Sequence, residues 1–172
     1  VIHSFVTRKG NLFGEGFDDP FLPGTNACGL ERIDHITTNV EKDSLREWVK
    51  YYETIFGFKN TRFFDIHTER TGLYSYVMQS PNGIIKMPFN EPTEPESQIQ
   101  EFIDIHHGSG VQHVALSSNN IFDSLKVLKR SGLSFLSTPD TFFDTLLTRI
   151  PNLNENIEEL KSLGILADGD SK

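Results

Sequence analysis

A chain of 172 residues, 37% of them hydrophobic, is long enough for one ordinary domain with a single core. Its formal net charge of −8 and the lack of any basic run argue against nucleic acid or an anionic membrane as a partner, since both require clustered Lys and Arg. The one cysteine, Cys28, cannot form an intramolecular disulfide, and no apolar run approaches the roughly 20 residues that span a bilayer. We therefore expect a cytoplasmic protein that binds small molecules or other proteins.

The first third of the chain predicts a leader followed by one regular module. Residues 1–29 contain glycine and proline too often for a long helix or a central strand, so we interpret them as an extended linker. An apolar strand around His35 then leads into Leu45–Phe56, where apolar side chains recur every three or four residues, as in a helix with one buried face. Three strand-like runs follow, at 58–66, 72–79 and 84–89. Residues 30–92 therefore predict a βαβββ module.

The pattern restarts after a polar connection. Residues 93–109 carry a short predicted helix at Gln98–Ile105, and the next apolar strand contains His113. The two histidines are 78 residues apart at matching points of similar strand-helix units, which indicates an internal duplication. We predict that residues 110–172 form a second, incomplete module, within an α+β domain covering 30–172.

The second module is predicted to lack its closing strands. After a helix at 121–128, Leu133–Leu136 resembles a strand, and Thr138-Pro139 predicts the start of a helix through Ile150, with Pro139 at the first helical position. Asn156–Leu163 predicts a last helix that ends at Gly164. Too few residues follow for two more strands.

His35 and His113 are the candidate metal ligands. A single histidine on a buried strand is more often a structural residue, but packing of a duplicated unit about a pseudo-twofold axis would bring these two face to face. Neutral imidazole suits Fe, Zn, Cu or Ni, and two histidines with one carboxylate suit a non-heme Fe(II) site that uses O₂. No carboxylate is suitably placed, because strand alternation sends Asp34 to the opposite face.

Other polar residues give weaker signals. We expect His106 and His107 to be solvated in a loop, and His3 and His67 to be surface residues. The 14 phenylalanines indicate core packing first, although they could also line a cavity for a ring-bearing substrate. Three polar residues interrupt apolar or strand-like surroundings and are candidates to orient such a ligand: Ser75, Asn90 and Gln98.

Several runs of this sequence resemble the 4-hydroxyphenylpyruvate dioxygenase family. The runs are Ile33-Asp34-His35, Trp48 to Phe58, Pro88 to Pro92, Ser97 to Gln100 and Gly110 to Leu116. The leader, with His3 to Val6 and Pro20 to Gly24, and the tail from Pro139 to Asp168 are also similar to that family. The resemblance covers essentially the whole chain and includes bacterial relatives called legiolysin or haemolysin.

The resemblance implies a vicinal oxygen chelate fold built from paired βαβββ modules. It implies conversion of 4-hydroxyphenylpyruvate and O₂ to homogentisate and CO₂ in tyrosine and phenylalanine catabolism, with Fe(II) as cofactor. His35 and His113 match two of the three family iron ligands. Four residues match the polar groups around the substrate: Ser75, Asn90, Gln98 and Gln112. Strand alternation alone would point Gln112 away from His113, which makes it the weakest of the four.

The resemblance also defines what this chain is expected to lack. The third ligand of the family is a glutamate in a strand that would follow residue 172, so we expect the isolated chain to be inactive. Its incomplete sheet would leave edges exposed, and we expect association with a second copy.

Two alternative functions stay open. Hydroxymandelate synthase uses the same fold, iron and substrate but hydroxylates the side chain, and Asn90 favours the dioxygenase because the synthases tend to have an apolar residue there. A ligand-binding protein of the same fold without catalysis is the other alternative, which the two matched histidines disfavour.

Overall fold

The computed structural model describes residues 3, 28–67 and 72–169, which fall into two compact units. The first unit contains the described residues from 31 to 117 together with His3, and the second contains residues 28–30 and 118–169. The predicted leader lies almost wholly outside the described residues. No described helix is both long enough and apolar enough to cross a membrane.

The first unit has the predicted βαβββ order, continued by a helix and a strand. Its elements are β1 (Leu30–Asn39), α1 (Leu45–Phe56), β2 (Lys59–His67), β3 (Gly72–Gln79), β4 (Lys86–Pro92), α2 (Gln98–His106) and β5 (Gly110–Ser118). They form one mixed five-stranded sheet in the order β2-β3-β4-β1-β5. β3 is antiparallel to both β2 and β4, whereas β1 is parallel to β4.

β1 and β5 are adjacent strands of the sheet and run in opposite directions. The backbone N–H of Glu41, beyond the end of β1, donates to Ser109 Oγ just before β5 begins. At the other end, Ser117 Oγ donates to the carbonyl of Arg32. The two histidine-bearing strands are therefore neighbours related by an approximate twofold rotation.

The core of the first unit lies between α1 and one face of the sheet. It consists of the buried side chains of Val40, Leu45, Tyr52, Met78 and Phe89. α1 ends at Gly57, whose φ of 65° is the left-handed conformation that favours glycine. Because side chains alternate along an extended chain, Thr38 of β1 and Val40 just after it face this core, and His35 is turned to the opposite face.

The predicted boundaries of the fourth strand are wrong by two to three residues. Ile84 and Ile85 are exposed and belong to the turn after β3, where Ser80 and Asn82 side chains accept their backbone N–H groups. The strand instead extends to Pro92, which pairs with Leu73.

The second unit is helical. Its elements are α3 (Ile121–Arg130), α4 (Asp140–Asp144), α5 (Leu146–Arg149) and α6 (Ile157–Leu163). The side chains of Asn120 and Asn156 cap α3 and α6, because each accepts hydrogen bonds from backbone N–H groups of the first turn. Its core contains Phe143, Leu146, Leu160 and Ile165.

Two predictions for the second unit are wrong. Leu133–Leu136 is not a strand; its side chains are exposed at Leu133 and Phe135, and no described strand pairs with it. The helix predicted through Ile150 is divided at Thr145, which ends α4 and precedes α5 and whose hydroxyl donates to the carbonyl of Phe142. Pro139 stands at the N-cap and not at the first helical position.

Candidate metal centre

His35 of β1 and His113 of β5 face each other across the strand pair. Their Nε2 atoms are 3.3 Å apart, and the ring centroids are 5.4 Å apart at an interplanar angle of 77°. His35 is half-buried and His113 is exposed. The antiparallel pairing of two similar strands thus brings the two sequence-matched imidazoles together.

Each imidazole is held through its other nitrogen by the residue that precedes it. His35 Nδ1 lies 2.8 Å from Asp34 Oδ2, and His113 Nδ1 contacts Gln112 Oε1. An ionised carboxylate and an amide oxygen can only accept hydrogen bonds, so both Nδ1 atoms carry a proton in this arrangement. Both Nε2 atoms therefore present lone pairs to the space between the rings.

The separation of the two Nε2 atoms fits a shared metal ion. Imidazole nitrogens bind first-row metals such as zinc at about 2.0–2.1 Å, so two of them at angles of about 90–110° lie about 2.8–3.4 Å apart. The observed separation is 3.3 Å. A cation between the rings would also remove the repulsion between two facing lone pairs, which Thr37 Oγ1, 3.1 Å from His113 Nε2, can relieve for only one ring.

The charges around the pair keep it suited to binding a cation. Hydrogen bonds from His35 and then from Lys86 hold the pKa of Asp34 below its usual range. Partial burial, followed by the charge of His35, lowers the pKa of His113, which favours the neutral form that ligates metals. Lys86 Nζ lies 3.1 Å from Asp34 Oδ1.

The position of Asp34 corrects the sequence analysis. Asp34 was expected on the face opposite to His35, as a solvent or packing residue, yet its carboxylate contacts both His35 and Lys86. The same holds for Gln112, which contacts His113 despite strand alternation. In both strands the side chain before the histidine bends round to reach the ring.

Within residues 3, 28–67 and 72–169, no group of three or more His, Cys, Asp or Glu side chains is arranged to hold a metal ion. The histidine pair is therefore not completed by a carboxylate in this part of the chain. Any third ligand has to come from elsewhere.

Two of the predicted substrate residues lie on the histidine face of the sheet. Ser75 of β3 is buried and lies opposite Asn90 of β4 in the sheet. Asn90 in turn lies opposite Asn39 of β1, and Asn90 Nδ2 donates a 3.3 Å hydrogen bond to Asn39 Oδ1. Asn39 is four residues after His35 and so shares its face. Gln98 is exposed as the first residue of α2, and no described contact joins it to the histidine pair.

A cavity of about 390 Å³ adjoins His35 on this face. Its volume falls in the range of small-molecule sites. Besides His35 it is lined by Thr61, Arg62, Phe64, Val77, Gln79, Lys86 and Pro88. Arg62 gives it a positive charge, since Lys86 is partly neutralised by Asp34.

A second cavity, of about 400 Å³, lies on the α1 side of the sheet and does not include His35. Aromatic side chains of α1 line it, and the ring of His3 packs against Phe56 with its Nε2 3.0 Å from the Tyr52 hydroxyl. His3 is the one described residue of its lining that could ligate a metal, and its Nε2 is already engaged by Tyr52, which makes this cavity the weaker candidate for chemistry.

Two of the remaining histidines are engaged locally, and His106, expected in a loop, is instead the last residue of α2. His106 stacks on Phe102, and His67 pairs with Asp65 at 2.6 Å. Sequence analysis missed Thr37, which shares the face of His35 by strand alternation and could have been found from its spacing of two. It also missed Lys86, which contacts Asp34. Nothing in the sequence indicates this contact, because it depends on the parallel pairing of β4 with β1.

Residues 32–156 match the family model described as glyoxalase/bleomycin resistance protein/dioxygenase superfamily. The chain is 42% identical over 168 residues to a 4-hydroxyphenylpyruvate dioxygenase of Pseudomonas aeruginosa, covering 95% of this chain and 47% of that protein. It is 40% identical over 141 residues to hemolysin VllY of Vibrio vulnificus, covering 82% and 40%.

Among solved structures, a mutant 4-hydroxymandelate synthase of Streptomyces coelicolor superposes with a TM-score of 0.71 at 28% identity, covering 81% of this chain and 41% of that one. The chain thus spans about half the length of the curated relatives it matches.

Proposed function

This chain belongs to the glyoxalase/bleomycin resistance protein/dioxygenase superfamily, and from that premise we propose that it is the iron-binding portion of a 4-hydroxyphenylpyruvate dioxygenase. The expected α+β vicinal oxygen chelate fold is confirmed by the family match and the mixed five-stranded sheet. In the proposed reaction the whole protein converts 4-hydroxyphenylpyruvate and O₂ to homogentisate and CO₂. The several relatives named for this activity at 40–42% identity support the assignment.

In this proposal His35 and His113 supply two ligands to Fe(II). The observation that carries it is the 3.3 Å separation of their Nε2 atoms, with each Nδ1 occupied by the preceding residue. Bound Fe(II) supplies the chelation of the keto acid and the activation of O₂. The third ligand is a glutamate outside the described residues, by resemblance to the family.

The remaining residues of the proposed site bind and orient the substrate. The cavity beside His35 attracts a keto-acid carboxylate through Arg62, against the overall negative charge of the chain. Phe64 offers an apolar face to the aromatic ring. By resemblance to the family, four residues would supply the polar groups around the substrate's phenol or behind it: Ser75, Asn90, Gln98 and Gln112.

Hydroxymandelate synthase is the second candidate, because a solved member superposes well on this chain. We favour the dioxygenase since Asn90 places a polar amide, hydrogen-bonded to Asn39, on the substrate face. In a ligand-binding protein without catalysis, nothing would require the Nε2 lone pairs of His35 and His113 to be held 3.3 Å apart. The single cysteine supports a cytoplasmic location, and we propose a homo-oligomer as the working state.

The test is an anaerobic Fe(II) titration followed by O₂ uptake and product analysis with 4-hydroxyphenylpyruvate. The protein is this chain completed with the remaining length of the Pseudomonas aeruginosa relative. Homogentisate as product supports the dioxygenase, whereas hydroxymandelate supports the synthase.

Variants separate the metal site from the rest of the chain. His35→Ala and His113→Ala should each abolish iron binding and O₂ uptake. His106→Ala, at an exposed histidine that stacks on Phe102, is the matched control and should leave both unchanged. Iron binding that survives in both site variants would refute the proposed ligands.

A further inference from the structure

The two histidines of the pair occupy matching positions in their strands, but different side chains contact their Nδ1 atoms. His35 is held by a carboxylate, and His113 by an amide. A carboxylate can only accept a hydrogen bond from Nδ1, whereas a glutamine amide can turn over and present either its oxygen or its NH₂ group. The Nδ1–H tautomer is therefore enforced at His35, whereas both neutral tautomers are available to His113.

We propose that Asp34, oriented by Lys86, is a positioning residue that locks His35 as the Nδ1–H tautomer, so that His35 is the preformed ligand and His113 the adaptable one. This inference deepens the proposed function and rests on it for the identity of the site. The tautomer itself can be measured without any metal.

The contact between Asp34 and His35 is not a default of strand geometry. Neighbouring side chains on a strand point to opposite faces, so the Asp34 carboxylate needs a reason to reach the ring. Lys86 of β4 provides it, because its Nζ lies 3.1 Å from Oδ1 while Oδ2 lies 2.8 Å from His35 Nδ1. Each carboxylate oxygen has one partner, which fixes the plane of the carboxylate and the ring together.

The lock has a consequence for the space between the rings. With Nδ1 protonated, His35 Nε2 always presents a lone pair. Any hydrogen bond between the two Nε2 atoms, 3.3 Å apart, must then run from His113 to His35. With the Gln112 oxygen toward His113 Nδ1, as described above, both Nε2 atoms are ready for a cation; with the amide turned over, only His113 has to move its proton to Nδ1 before a cation binds.

The experiment is long-range ¹H–¹⁵N correlation NMR of the imidazoles in the metal-free protein at pH 8.5. We expect His35 to be Nδ1–H in the unaltered chain. Asp34→Asn should produce a measurable Nε2–H population at His35, because the amide can donate to Nδ1. Gln112→Glu, the reciprocal change, should fix His113 as Nδ1–H.

The chain offers a matched control in the Asp65–His67 pair of β2. Asp65→Asn is the same substitution next to another histidine, at a 2.6 Å contact outside the site. It should leave the His35 signals unchanged. Titration with Co²⁺ should show about 10- to 100-fold weaker binding in Asp34→Asn and no change in Asp65→Asn.

Two results would overturn the inference. One is an Nε2–H tautomer at His35 in the unaltered chain. This measurement does not depend on whether any variant folds. The other is a His35 tautomer that stays Nδ1–H in Asp34→Asn. If the tautomers respond as expected but the completed protein binds neither Co²⁺ nor Fe(II), the lock stands and the proposed function fails.

Discussion

Replacing Glu91 with alanine should destabilise the first unit by about 2–3 kcal/mol. Glu91 of β4 is buried, and its Oε2 accepts a 2.7 Å hydrogen bond from the backbone N–H of Leu45, the first residue of α1. Ser44, at the N-cap of α1, makes no side-chain capping bond. Glu91 is therefore the cap of this helix, supplied from a strand 46 residues away in sequence.

The magnitude follows from what alanine removes. A hydrogen bond to a charged group is worth about 1.5–3 kcal/mol, and a buried N–H without a partner costs about 1–3 kcal/mol. A negative charge at a helix N-terminus adds a few tenths to about 1 kcal/mol. Glu91→Gln keeps a neutral acceptor and should cost about 1 kcal/mol.

Urea unfolding followed by tryptophan fluorescence measures this unit specifically. Trp48 is the single tryptophan, and its ring stacks on Phe89 in the core beneath α1, with centroids 6.4 Å apart. With a urea slope of about 2 kcal/mol/M, Glu91→Ala should lower the midpoint by about 1–1.5 M.

Glu96→Ala is the control, because Glu96 is exposed in the connection that follows β4. It should change stability by less than about 0.5 kcal/mol. Equal midpoints for the Glu91 and Glu96 alanine variants would show that Glu91 does not cap α1.

Three further outcomes follow from described residues. Burial, with the nearby charge of Tyr51, raises the pKa of Tyr52 to about 12. Because the phenol ionises near 10 in the unfolded chain, the first unit should lose stability as the pH rises from about 10 through 12. Tyr52→Phe should remove this loss, as measured by alkaline titration of tryptophan fluorescence. Met78→Ala should cost about 2–5 kcal/mol in urea unfolding, because Met78 is fully buried in the core. Gly164→Ala should cost about 1 kcal/mol by thermal unfolding of the second unit, since Gly164 ends α6 at a φ of 73°.

The sequence predicted the elements that depend on local pattern. The apolar run around His35, the three- and four-residue spacing of α1 and the stop at Gly57 are properties of neighbouring residues, and the structure has the predicted strand, helix and helix end. The duplication predicted that His35 and His113 would meet, because equivalent strands of a repeated unit pack about a twofold axis. The structure places their Nε2 atoms in contact.

The errors arose where a partner outside the local pattern decides the outcome. Leu133–Leu136 has the composition of a strand, but a strand exists only when another strand accepts its hydrogen bonds. Asp34 follows the rule of alternation until Lys86 draws its carboxylate toward His35. The predicted helix is divided at Thr145, where the backbone φ is −98° and ψ is 0°, a local departure that apolar periodicity does not register.

The antiparallel pairing of β1 with β5 also bears on how such a site can evolve. Two identical modules associating as separate chains would carry the same residue before both histidines, so any change would alter both sides of the axis together. Joining the modules in one chain removes that constraint. This chain carries an aspartate before His35 and a glutamine before His113, so the surroundings of each imidazole can be altered separately while their Nε2 atoms lie 3.3 Å apart.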